Sequence, residues 1–172
     1  VGQIVCQWAK HLGATVIGTV GSPEKAEIAK AKGCDYPILY RDEVVSERVM
    51  EITKGQGVEV VYDSVGKDTF DDSLKCLKRL GMMVTFGQSS GPVPPVPIKA
   101  LAPGAYFLTR PSIFHYTATR EELLATANDL FDVLKSGAVK IDITATYPLA
   151  DAKQAHDDLE GRKTNGSIVF TV

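Results

Sequence analysis

Residues 18–25 read Gly-Thr-Val-Gly-Ser-Pro-Glu-Lys, and this set of side chains suits an anion. The stretch closes a β-branched run and lies about 20 residues beyond a glycine at a helix start. In a unit that binds an unphosphorylated dinucleotide, an acid at such a strand end takes the ribose hydroxyls. Here the chain carries Gly21 and Ser22, with Lys25 just beyond. Small residues leave room, and a cation pairs with a phosphate. The pattern predicts NADP(H) as the dinucleotide. Gly2 opens the preceding helix, whose unpaired N–H groups and partial positive charge suit a pyrophosphate. Glycine at a helix start can equally serve packing alone.

Such residues need a frame that holds strand ends side by side, and the hydrophobic pattern supplies it. Ile4, Val5, Trp8, Ala9 and Leu12 mark one face of a helix over 2–12, stopped by Gly13. A strand follows over 15–20. Ser22 and Pro23 open a helix to about residue 32. The pattern then predicts a strand over 36–39, a helix over 44–53, a strand over 58–62 ahead of Asp63, a helix over 70–77 and a strand over 82–86. Residues 88–104 are polar, then proline-rich, and read as a loop with one helical turn. A strand over 105–108 comes next. Thr119 and Glu122 form a capping-box pair that starts a helix to about residue 136. Residues 141–147 are extended, 151–160 helical, and 167–172 a last strand.

Helices alternating with strands define an α/β class: a Rossmann-type, doubly wound parallel sheet with helices on both faces. A dinucleotide-binding unit begins with a strand, yet this chain begins with a helix. The missing first strand would lie between the strands at 15–20 and 58–62, so the chain reads as a fragment of a longer protein.

With 172 residues, 44% hydrophobic and 23% charged, the composition is that of one globular domain. A formal net charge of -2 gives no global field toward nucleic acid or an anionic membrane. The longest apolar runs are strand-sized, too short to span a bilayer. Cys6, Cys34 and Cys76 are dispersed and odd in number, which fits reduced, buried thiols and a cytoplasmic setting. No paired Cys or His ligands stand at zinc spacing, so no metal is expected. His11, His115 and His156 are isolated and read as surface or packing residues. Asp71-Asp72 and Glu121-Glu122 are adjacent acids that read as solvated helix charge. No residue reads as a general acid, a base or a nucleophile. That suits hydride chemistry, where a cofactor reacts and the protein places it.

Several motifs carry a family likeness. Val1-Gly2-Gln3, Cys6 to Lys10 and Gly13-Ala14 resemble the end of the glycine turn and first helix of medium-chain dehydrogenase/reductases. Tyr62 to Gly66, Phe86 to Gly91, Thr109 to Ser112 and the tail from Tyr147 through Ser167 resemble the zinc-independent NADPH:quinone oxidoreductase branch, the zeta-crystallin-like group. The likeness runs through the whole chain in order. It implies a longer enzyme with an N-terminal GroES-like domain. Residues 1–146 would be the truncated NADP-binding Rossmann domain, and 147–172 a segment returning to the other domain.

The resemblance also implies roles. Lys25 pairs the adenosine 2′-phosphate, with the Tyr40 hydroxyl nearby and Arg41 adjoining. Ser64 and Val65 lie beside the adenine and its ribose. Asp63 reads instead as an acceptor for loop N–H groups. Phe86, Gly87, Gln88 and Ser89 flank the nicotinamide ribose, while Pro111, Ser112 and Ile113 approach the nicotinamide amide. Arg162 reaches the cofactor from the tail. The implied activity passes a hydride from NADPH to a quinone, with an enone or alkenal as the alternative acceptor. A non-catalytic nucleotide-sensing or RNA-binding module on the same scaffold is a third reading, since fold alone does not define function. The likeness further implies a homodimer, through the edge strand near 105–109.

Overall fold

Pro23 presets the first turn of its helix, and the Ser22 hydroxyl caps it by accepting from the Lys25 N–H at 3.3 Å. Local chemistry of this kind sets most of the elements. The computed structural model describes residues 1–161 and 163–172. In chain order they form α1 (Gly2–His11), β1 (Ile17–Val20), α2 (Pro23–Ala31), β2 (Tyr36–Leu39), α3 (Val45–Ile52), β3 (Val58–Asp63), α4 (Phe70–Lys75) and β4 (Leu77–Thr85). A 3-10 stretch (Ile98–Gly104) leads to β5 (Phe107–Thr109), α5 (Ile113–Tyr116), α6 (Arg120–Lys135) and β6 (Ile143–Pro148). A shorter 3-10 turn (Leu149–Asp151) precedes α7 (Ala152–Glu160) and β7 (Ser167–Thr171).

Every strand pairing is parallel. β1 pairs with β2, β4 lies between β3 and β5, and β6 pairs with β7. Among the described residues β1 and β3 share no ladder. Side chains join the two groups instead. Ile38, Val49 and Cys76 form a buried cluster with Ile17 of β1 and with Val58 and Val61 of β3. A second cluster gathers Phe70, Leu74, Leu77 and Met83. Cys34 and Cys76 are buried as expected, Cys6 is half-buried, and all three are free thiols. No helix among the described residues is long and apolar enough to cross a membrane.

Some element ends depart from the sequence pattern. The apolar positions 70, 74 and 77 suggest a helix through 77, but α4 stops at Lys75. Leu77 enters the Phe70 cluster from extended backbone and pairs with Val58. The register then jumps, so that Val60 faces Met82, and Leu80 takes φ +63° in the bulge. The next strand starts at Phe107 because Ala105 adopts φ +50° as the cap of the 3-10 stretch. β6 spans the boundary expected at 146/147. The capping box forms as expected: Thr119 Oγ1 accepts from the Glu122 N–H at 3.2 Å, and Glu122 accepts from the Thr119 N–H at 2.9 Å.

Asp72 is a correction to the reading of solvated charge. Its carboxylate accepts from both the N–H (3.0 Å) and the hydroxyl of Ser46, in the first turn of α3. Val44, the N-cap of α3, supplies no side-chain bond, so the cap comes from the neighbouring helix. Asp72→Ala is expected to lower unfolding stability by about 1 kcal/mol, the usual value of a lost cap. Urea denaturation checks this, with Asp71→Ala as a near-neutral control.

Candidate functional site

Two groups of residues meet at the carboxyl ends of the strands, the edge where ligands lie in open parallel sheets. The first is built on β1 and β2. Their register runs from Ile17 opposite Tyr36 to Val20 opposite Leu39, and the Tyr40 N–H donates to the Val20 carbonyl at 3.2 Å. The chain after β2 therefore runs beside the chain after β1. A Cβ placed on Gly21 would lie 2.7 Å from the Tyr40 hydroxyl, so the phenol occupies the space that glycine leaves. Ser22 caps α2 from the same turn, and Lys25 follows one turn into that helix. Lys25 is half-buried, and Arg41 is exposed. The structure thus brings Gly21, Ser22 and Tyr40 to one corner, with Lys25 one turn into the helix that starts there.

The second group is built on Asp63, the last residue of β3. It is 4% exposed, and a buried carboxylate needs its lone pairs filled. One oxygen accepts from the N–H groups of Val65 (2.8 Å) and Gly66 (2.9 Å). The other accepts from the hydroxyls of Thr69 (2.7 Å) and Ser73 (2.8 Å). The acceptor role expected for Asp63 holds, and it is wider than expected. The loop after β3 and the start of α4 are tied to one side chain.

That loop lies directly against the turn after β4. The Ser89 N–H donates to the Ser64 carbonyl at 3.2 Å, and the Ser90 N–H to the Val65 carbonyl at 2.9 Å. The Ser90 hydroxyl adds a bond to the same Val65 carbonyl at 2.8 Å. A Cβ on Gly87 would fall 2.8 Å from Ser64 Cα and closer still to the Ser64 carbonyl oxygen. Only glycine lets these two backbones approach so closely. Ser64, Val65, Gly87, Gln88 and Ser89 therefore form one continuous ledge, with Phe86 at 38% exposure beside it. Arg110, just after β5, donates from its guanidinium to the Thr85 carbonyl at 3.1 Å. It ties the segment carrying Pro111 and Ser112 to the same edge, and Ile113 begins α5 with 61% exposure.

Gly2 begins α1, and a Cβ there would meet nothing within 4 Å, so packing within this chain does not demand glycine. Arg162 lies outside the described residues. Two cavities of about 410 Å³ are present among the described residues, one lined by Thr144, Tyr147, Asp158 and Lys163, the other by Pro23, Leu39, Glu43 and Arg48. Both are wide open to solvent. Thr69, Ser73, Ser90 and Arg110 escaped the reading by residue type. The spacing of Thr69 and Ser73, four apart at a helix start, was the available signal.

With this geometry in place, the chain belongs to the zinc-binding dehydrogenase family, whose model matches residues 1–132. It is 52% identical to a quinone oxidoreductase of Salmonella typhimurium, over 99% of this chain and 53% of that protein. It is 45% identical to a 2-haloacrylate reductase of Burkholderia sp, over 99% of this chain and 52% of that protein. A crystal structure of Escherichia coli quinone oxidoreductase complexed with NADPH superposes with a TM-score of 0.94 at 50% identity, covering 100% of this chain and 54% of that one. These likenesses bear out the resemblance and the Rossmann-like fold. The chain spans about half the length of the curated relatives it matches. The family's name notwithstanding, no three His, Cys, Asp or Glu side chains among the described residues converge to hold a metal ion. Among the described residues the donor set does not fit a zinc site.

Asp63→Ala is expected to cost about 3 kcal/mol, because it strands several buried donors at once. Asp63→Asn should cost less than half of that, since its amide oxygen still accepts the two N–H groups and its NH2 can donate to the rotated hydroxyls. Denaturant titration of both variants gives the comparison.

Proposed function

We propose that this chain is the NADPH-binding part of an oxidoreductase that reduces a quinone. The observation that carries this reading is the corner where the Tyr40 hydroxyl fills the space beside Gly21 and Ser22 starts the helix that carries Lys25. NADPH, when bound, supplies the hydride. Lys25 and the Tyr40 hydroxyl would hold the 2′-phosphate, in a space left by Gly21 and Ser22. Several donors on one phosphate offset the loss of its water. The N-terminus of α1 at Gly2 would face the pyrophosphate with its unpaired N–H groups. Ser64 and Val65 would line the adenine and its ribose. Phe86, Gly87, Gln88 and Ser89 would flank the nicotinamide ribose, while Pro111, Ser112 and Ile113 would fix the nicotinamide amide. Arg162 would reach the cofactor from the tail.

The chain's own contribution is then placement. The ledge is tied to Asp63 by its hydrogen bonds, and precise placement of the reacting carbon accounts for much of the rate in hydride transfer. Residues 1–146 would form the cofactor domain. Residues 147–172 would pack on a second domain that completes a water-poor cleft for the acceptor. The NADPH bound to the Escherichia coli relative supports the cofactor, and the names of the relatives support the quinone. The 2-haloacrylate reductase supports a second reading, in which the acceptor is an activated alkene. The enzyme would work without zinc, as a cytoplasmic homodimer joined at the β5 edge, where Phe107 is 54% exposed.

Lys25→Ala in the full-length protein is expected to weaken NADPH binding by about 1.5–3 kcal/mol, the range of a charged hydrogen bond, and to leave NADH binding nearly unchanged. Isothermal titration with each coenzyme reads this, and equal losses for both would refute the assignment. NADPH oxidation with a benzoquinone and with an α,β-unsaturated acid separates the two acceptors.

A further inference from the structure

Gln7, in the second turn of α1, binds a backbone segment 133 residues away. Its amide nitrogen donates to the Lys140 carbonyl at 3.0 Å, and its amide oxygen accepts from the Lys140 N–H at 3.0 Å. The amide nitrogen also donates to the Gln3 carbonyl at 3.0 Å. Both amide hydrogens are thus used, and the two carbonyl partners settle which end of the amide is nitrogen. The pair with Lys140 has the form of one rung between two backbones. At neutral pH a primary amide is the side-chain group that offers a donor and an acceptor at that spacing, so a residue of another type cannot keep both bonds.

The segment that receives Gln7 is itself held. Val139 is 1% exposed, and its N–H donates to the Val133 carbonyl of α6 at 3.0 Å. Asp142 meets the ammonium of Lys32, the C-cap of α2, at 2.6 Å. Near its other end α1 has a second tie. A Cβ on Gly33 would lie 3.1 Å from Lys10 Cβ and 3.3 Å from the Cys6 carbonyl oxygen, so α1 packs closely on the turn after α2. Lys10 also pairs with Asp35 just beyond that turn. The N-terminus of α1 has little of its own: Val1 gives no side-chain cap, and no residue of the helix is buried among the described residues. A helix held at Lys10 alone can swing about that point. Gln7 lies nearly a turn closer to Gly2, and its tie to Lys140 removes the swing. Gly2 stands five residues beyond Gln7, about 7.5 Å along the axis, so a tilt released at Gln7 displaces the first N–H groups of the helix.

We propose that Gln7 is a positioning residue for the coenzyme: its amide locks α1 to the segment at Lys140 and so aims the N-terminus of α1 at the pyrophosphate. The inference deepens the coenzyme reading above and rests on it. Hydrogen bonds from a helix start weaken steeply when the donors point away from the anion, so the aim of α1 sets part of the affinity. Gln7 acts through the helix and not by touching the coenzyme. The pyrophosphate is common to NADPH and NADH, so Gln7 serves both alike, whereas Lys25 serves the phosphate that only NADPH carries. The two residues therefore have different signatures.

The test titrates the full-length protein and its Gln7→Met and Gln7→Glu variants with NADPH, NADH and adenosine 2′-monophosphate, which has no pyrophosphate. Gln7→Met is expected to weaken NADPH and NADH by the same factor, about threefold or more, and to leave adenosine 2′-monophosphate unchanged. Gln7→Glu should lose at least as much, because its carboxylate faces the Gln3 and Lys140 carbonyls. The thermal midpoint should barely move, since Lys140 is exposed and water replaces the lost partners. In the unsubstituted protein, NADPH should slow hydrogen exchange at the Lys140 amide, a readout that needs no variant to fold. Unchanged affinity for both dinucleotides, a loss confined to NADPH, a loss shared by adenosine 2′-monophosphate, or exchange at Lys140 indifferent to NADPH overturns the proposal. If the unsubstituted protein binds neither dinucleotide, the coenzyme reading itself falls and the role of Gln7 with it; if it binds them and Gln7→Met binds them equally well, only the role of Gln7 falls.

Discussion

The site rests on the burial of one carboxylate. Asp63 ends a strand inside the protein, where an ionised group without partners would be costly by many kcal/mol. Its four acceptor bonds come from two loop N–H groups and two hydroxyls on or beside the next helix. Satisfying Asp63 therefore dictates the path of the loop after β3 and the position of α4. With that loop in place, Ser64 presses on Gly87, and the turn after β4 can only lie where its N–H groups meet the Ser64 and Val65 carbonyls. A requirement of the protein interior becomes a ledge at the open edge of the sheet.

The corner on β1 and β2 obeys the complementary logic of making room. Gly21 gives way to a phenol, and the Ser22 hydroxyl accepts the capping bond of α2. Lys25 is brought in by the helix so capped. The two regions differ in kind: one is rigid backbone held by a buried charge, the other a set of polar side-chain ends around a small residue. A dinucleotide asks for both, flat support along its length and a specific grip at one end. The chain belongs to the zinc-binding dehydrogenase family, and among its described residues no three His, Cys, Asp or Glu side chains converge on one point.

Much of this was legible in the order of residues. Ser22-Pro23 and Thr119 with Glu122 act within a few residues of themselves, and the structure places both caps as local chemistry predicts. The strand at Tyr36–Leu39 and the acceptor role of Asp63 were equally readable. The misses are contacts made across space. Asp72 caps a helix whose first turn lies 26 residues earlier, and no pattern along one helix announces that. Leu77 keeps a helical spacing from Leu74 while its backbone is extended, because the hydrophobic cluster accepts its side chain from either conformation. Ala105 sits at positive φ with no glycine to signal it, which delays β5. The bond from Arg110 to Thr85 depends on β4 and β5 lying side by side, and the sequence alone does not position them to that accuracy.

The proposed grip on a phosphate lies at the ends of β1 and β2. The most direct measurement is the ratio of dissociation constants for NADH and NADPH with the unsubstituted full-length protein, titrated under identical salt. NADPH should bind at least about tenfold more tightly, a difference of roughly 1.4 kcal/mol. Equal affinities, or a preference for NADH, would contradict it.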